Sequence, residues 1–72
     1  MATDEELKKV YGMFTDTWKL YKKFADVQKQ DEYWETLLAE SRTIAKKYLD
    51  DKFCLDLILA TVSELERKGA QA

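Results

Sequence analysis

The residues of this chain able to do chemistry are few and poorly matched. Cys54 is the sole thiol, and no histidine exists to deprotonate it. A thiol near a helix N-terminus gains thiolate character, but nucleophilic catalysis also needs a base within reach. Cys54 is flanked by Phe53 and Leu55 and faces inward by helical period, so it reads as a small buried hydrophobe. Asp50, Asp51 and Asp56 offer oxygens to a hard cation, yet they lack the spacing and the glycine of a calcium loop. Helix capping is the better reading of that pair and its neighbour. One cysteine and no histidine leave the usual zinc sets unfilled. Gly12 and Gly69 make no phosphate-cradling loop, and no nucleophile elbow is present. Catalysis, metals and cofactors are therefore not expected.

Two surface constellations remain. The lysines Lys19, Lys22, Lys23 and Lys29, with Lys8 and Lys9 before them, form a candidate face for phosphate or an acidic partner. From Leu7 to Lys29, six lysines stand against two aspartates, a net +4. The competing reading is a solvated face matched to the helix dipole. Acids open each expected helix and lysines or arginine close it, a polarity the macrodipole favours. Groove reading of DNA is disfavoured, because the third helix opens Asp50-Asp51-Lys52 and would turn carboxylates toward phosphate. The nine aromatic residues are the second constellation. At helical spacing they read first as core. Tyr and Trp still prefer core edges, where their polar atoms find partners, and there they anchor interfaces.

The elements that position these residues follow from hydrophobic period. Helix-spaced apolar patterns fill most of the 72 residues, and proline is absent. The first helix is expected over about 4–27, with Thr3 as N-cap and Glu6 three residues on completing a capping box. Its apolar face is Leu7, Val10, Tyr11, Phe14, Trp18, Tyr21, Phe24 and Ala25, with Met13, Leu20 and Val27 as a second line beside it. Gly12, on the polar side, has no evident reason beyond close approach of a neighbour. The second helix is expected over 31–48 with Asp31 as N-cap. Its face is Tyr33, Trp34, Leu37, Leu38, Ser41, Ile44, Ala45 and Tyr48. The third is expected over 51–68, capped by Asp50 or Asp51 and ended by Gly69 in the left-handed conformation. Its centre is Cys54, Leu57, Ile58, Thr61, Val62 and Leu65, with Leu55 and Leu59 to one side. Residues 1–3 and 69–72 are expected to fray.

Short joints between helices force antiparallel or sharply angled neighbours. A single all-α domain results: a compact up-down-up three-helix bundle, with a splayed helix-turn-helix packing as the alternative. A domain this small buries only about 60% of its unfolded surface and usually needs a staple. A lone cysteine excludes an internal disulfide, which leaves packing or self-association.

The segment Tyr11-Gly12-Met13-Phe14-Thr15-Asp16-Thr17-Trp18-Lys19-Leu20-Tyr21-Lys22-Lys23, followed by Asp31-Glu32-Tyr33-Trp34, resembles short all-helical proteins of Gram-positive, Firmicutes-type bacteria. The likeness implies a small bacterial cytosolic protein and brings no activity or site residue with it.

The function expected is a non-catalytic protein–protein interaction or accessory module, self-associating as a homodimer through an apolar helix face. The expected contact residues are Leu55, Leu59, Met13 and Leu20, with Trp18 and Trp34 as aromatic anchors. Nucleic-acid binding through the lysine face and carriage of a small ligand or lipid among the aromatics are the alternatives. The net charge of −2 counts against the first of these. The longest apolar run, Leu57 to Ala60, is too short for a membrane span, and the acidic start carries no apolar signal region. With a free cysteine in an apolar stripe, a reducing cytoplasmic location is expected.

Overall fold

A computed structural model describes residues 1–71. Three helices pack against one another: α1 (Asp4–Phe24), α2 (Asp31–Lys47) and α3 (Lys52–Gln71). Interhelical bonds establish their directions. Asp16 pairs with Lys47 and Lys23 with Glu40, so α1 and α2 are antiparallel. Phe14 meets Phe53, and Lys68 donates to the Ala25 carbonyl, so α1 and α3 are parallel. The result is the up-down-up bundle, a rod of 44 × 20 × 17 Å.

Local chemistry sets most helix ends. Thr3 Oγ1 accepts from Glu6 N at 3.2 Å. Asp51 Oδ1 accepts from the amides of Phe53 and Cys54, which places it as the α3 N-cap. Asp31 is not a cap: it is the first helical residue of α2, and the cap position belongs to Gln30, without a side-chain bond. Nor does α1 reach Val27. It stops at Phe24, where the Tyr33 hydroxyl donates to the Phe24 carbonyl and Lys68 to that of Ala25. These donors satisfy carbonyls that the end of a helix leaves open.

The two glycines do not end helices. Gly69 lies inside α3 with no left-handed φ, and α3 continues through Gln71, so residues 69–71 are helical. Ala72 lies outside the described residues. An added Cβ at Gly69 would sit 3.0 Å from Val27 and 3.7 Å from Trp34. The glycine is there to let the first joint and α2 pack on α3. The left-handed residues are Leu49 and Asp50, at φ 54° and 56°. Leu49 N donates to Lys46 O and Asp50 N to Ala45 O, a Schellman closure of α2 built without glycine. Left-handed backbone costs an ordinary residue about 1–2 kcal/mol.

The core has two connected halves. Met13, Ala45, Cys54 and Ile58 form one; Leu20, Phe24, Leu37 and Leu65 form the other. Ile44 and Val62 touch both. Thr17 and Ser41 are buried beside them, with hydroxyls bonded to the carbonyls four residues back. This overturns one expectation directly. Met13 and Leu20, assigned to a surface patch, are 1% and 3% exposed and belong to the core. Half of the expected main face of α1 is instead turned outward: Leu7, Tyr11, Phe14 and Trp18 are all at least half exposed, while Phe24 is core and Val10, Tyr21 and Ala25 are half-buried.

The reason is the rotation of α1 about its axis. Asp16 and Lys23 lie on one edge of the Met13–Leu20 line, about 60–80° round, while Phe14 and Trp18 lie about 100–140° round the other way. Bonds from Asp16 and Lys23 hold the polar edge to α2, which swings the aromatic edge away from the core. Gly12 makes that rotation possible. An alanine Cβ there would lie 2.5 Å from the Tyr48 hydroxyl oxygen, which also bonds Asp16 at 2.6 Å.

Gly12→Ala should therefore destabilise the chain by about 1 kcal/mol, although alanine has the better helix propensity by a similar amount. In a Tyr48→Phe background, where the ring carbon is 3.5 Å away, the same change should become stabilising. A double-mutant cycle by urea unfolding reads the reversal of sign; no reversal would separate Gly12 from Tyr48.

Candidate interaction surface

The aromatic edge of α1 repeats at steps of four, three and four: Leu7, Tyr11, Phe14 and Trp18, exposed by 57, 73, 50 and 59%. Such spacing keeps all four on one side of the helix over three turns. Phe14 packs edge-on against Phe53 of α3, ring centroids 5.6 Å apart. Trp18 stacks on Tyr21 at 6.4 Å. Tyr21 is held in turn by the Lys68 ammonium, 5.3 Å above its ring. Between these rings and Leu57, Ala60 and Thr61 of α3 runs a solvent-open groove of about 370 Å³. The rings are thus ordered on their inner edges and open on their outer ones.

Leu55 and Leu59 are exposed, by 41 and 65%. They lie on the opposite flank of α3, the flank of Val62 and Gly69, away from the α1 groove. The six contact residues expected from sequence thus do not form one patch. Met13 and Leu20 are core, Leu55 and Leu59 form a separate flank, and Trp18 belongs to the α1/α3 face. Trp34 is half-buried. Its ring meets Tyr33 edge-on at 4.8 Å and borders an open cleft of about 340 Å³ with Val27, Lys29, Glu66 and Gly69. Tyr33 packs on Phe24 at 5.4 Å, so the aromatics at the first joint serve the bundle. The residues that sequence reasoning placed inside were Leu7, Tyr11 and Phe14. The signal that could have moved them outward was Asp16, a carboxylate that needs a partner on the other edge.

The lysines do not converge. Lys23 is bonded to Glu40 at 2.8 Å. Lys19 lines a shallow cleft with Asp16 and Glu40. Lys22 points outward from α1, and Lys29 sits beyond its end beside Trp34. Asp16 and Glu40 stand beside Lys19 and Lys23, and Glu66 lines the same cleft as Lys29, so acidic groups are interspersed with these lysines.

The polar groups are committed to structure. Burial pulls the Asp16 carboxyl upward, but hydrogen bonds from Tyr48 and Lys47 and the nearby lysine charges outweigh it and hold the group below its usual range. Asp16 also raises Lys47, chiefly through their hydrogen bond. Tyr48 is raised by burial and then by its bond to Asp16. Asp51 is lowered first by the backbone amide of Cys54, as an N-cap should be. Cys54 is wholly enclosed, and burial pushes its thiol up, opposite to what a nucleophile needs. Among the described residues, no group of three or more cysteine, aspartate or glutamate side chains is placed to hold a metal. No described helix is long and apolar enough to cross a membrane.

No protein-family model, curated protein or solved structure matches this chain.

Asp16 gives a pH prediction. Its folded pKa lies below the unfolded value near 3.8, so its contribution is complete above that pH and is lost as pH falls through the folded value. Tm should drop more steeply below about pH 4 in the natural chain than in Asp16→Asn, as followed by circular dichroism from pH 7 to 2. Parallel acid limbs would show that Asp16 is not preferentially stabilised by folding.

Proposed function

We propose that the protein is a non-catalytic interaction module that docks through the α1/α3 aromatic face. The observation that carries this reading is the outward turn of α1. A helix whose most aromatic edge stays in water leaves apolar surface uncovered, and monomeric soluble proteins rarely expose such surface in one contiguous patch beyond a few hundred Å². The face has the composition of an interface centre, with Trp, Tyr and Phe together and charged residues at the margin. The rings are also partly pre-ordered by Phe53, Tyr21 and Lys68, which lowers the entropy lost on docking. The enclosed free thiol supports a reducing, cytoplasmic setting.

Site-specific photocrosslinking tests the face. A photoreactive residue placed at Tyr11 should give higher-mass adducts in expressing cells several-fold more efficiently than one at Lys46, on the solvent side of α2. Equal or absent adducts at the two positions would overturn docking through this face.

A further inference from the structure

Resting on that docking reading, we infer that the face is covered by a second copy of the chain, with α1 of each copy lying over α3 of the other about a two-fold axis parallel to the helices. Area is the first argument. Leu7, Tyr11, Phe14 and Trp18, at their observed exposures, with Phe53 at 43%, offer on the order of 500 Å² of apolar surface. A standard interface covers about 800 Å² per partner, of which about 65% is apolar in homodimers, again on the order of 500 Å². One copy therefore presents the amount that a stable isologous dimer requires.

Shape selects the orientation. The α1 side of the groove is built mainly from the rings of Phe14, Trp18 and Tyr21, whereas the α3 side, lined by Leu57, Ala60, Thr61 and Glu64, narrows to small side chains at Ala60 and Thr61. A two-fold across the helices would lay α1 on α1 and set ring against ring. A two-fold along the helices preserves height. Because α1 and α3 are parallel and Trp18 lines the groove level with Ala60, that rotation brings Trp18 over the small residues of the other copy. Charge agrees. Lys8, Lys19 and Lys22 are exposed along the outer edge of α1. Laying α1 on α1 would bring these like charges together. The parallel two-fold instead sets Lys22 at the level of Glu64, which borders the groove beside Tyr21. Assembly also supplies the stabilisation that small domains otherwise take from disulfides or metals.

The buried native thiol makes a clean test, because introduced surface cysteines report alone. Lys22→Cys and Glu64→Cys chains are prepared separately, mixed, and oxidised mildly. The expected result is a covalent dimer from the mixture, severalfold above that from Lys22→Cys alone, and a light-scattering mass twice that of one chain. Tyr11→Glu and Trp18→Glu should each return the mass to a single chain with the helical circular dichroism retained. A single-chain mass up to millimolar concentration, or dominant Lys22→Cys self-crosslinking, would overturn the inference. If the chain is monomeric while Tyr11 crosslinks to a different protein, the second copy is excluded and the docking reading stands. If neither association occurs, both fall.

Discussion

The Tyr48 hydroxyl, seated against Gly12 and bonded to Asp16, sets how α1 is turned about its own axis, and the remaining structure depends on that angle. The contact joins the C-cap residue of α2 to the middle of α1. Lys47 reinforces it at 2.9 Å, and the Lys23–Glu40 pair repeats the tie two turns further along. Exposed ion pairs contribute little stability one by one. Their effect here is geometric: two ties on the same edge of a helix leave it little freedom to roll. With that edge held to α2, the Met13–Thr17–Leu20–Phe24 line must face inward, and the aromatic line must face water.

Much of this fold was legible in the sequence. Thr3 and the Asp50–Asp51 pair mark caps because a short oxygen side chain precedes an apolar-periodic run; that Asp51 is the cap is settled by its bonds to the Phe53 and Cys54 amides. The three helices and their order follow from a period that persists between short joints, which allow antiparallel or sharply angled neighbours; the cross-helix pairs Asp16–Lys47 and Lys23–Glu40 select the antiparallel bundle. What periodicity could not decide was which half of α1 faces inward. Its apolar residues spread over rather more than a half-circle, too wide for one core, and periodicity alone put Phe14 inside and Met13 outside. Asp16 marks the edge that needs a partner, but that partner, Tyr48, lies far along the chain, and Gly12 has no meaning without it. Gly69 misleads for a similar reason. A glycine near a chain end reads as a stop signal, but here it is a contact point for Val27 and Trp34. The left-handed closure fell to Leu49, which no propensity would select.

The candidate face is a consequence of the same angle. Only Leu55, Leu59 and Trp18 kept the exposure expected of contact residues, and Trp18 alone of these lies on the aromatic face. The larger part of that face came from Leu7, Tyr11 and Phe14, which the core did not take. A compact core of eight apolar side chains sets the bundle, and the surplus aromatic area stays exposed on the α1/α3 face.

The most direct measurement compares Leu20→Ala with Tyr11→Gln by urea unfolding, at concentrations where the chain is dilute enough to be a single copy. If α1 is turned as described, Leu20→Ala costs about 2–5 kcal/mol because it empties a packed site, and Tyr11→Gln changes stability by less than about 1 kcal/mol. The opposite order, with Tyr11→Gln severe and Leu20→Ala mild, would mean that the aromatic edge is the core.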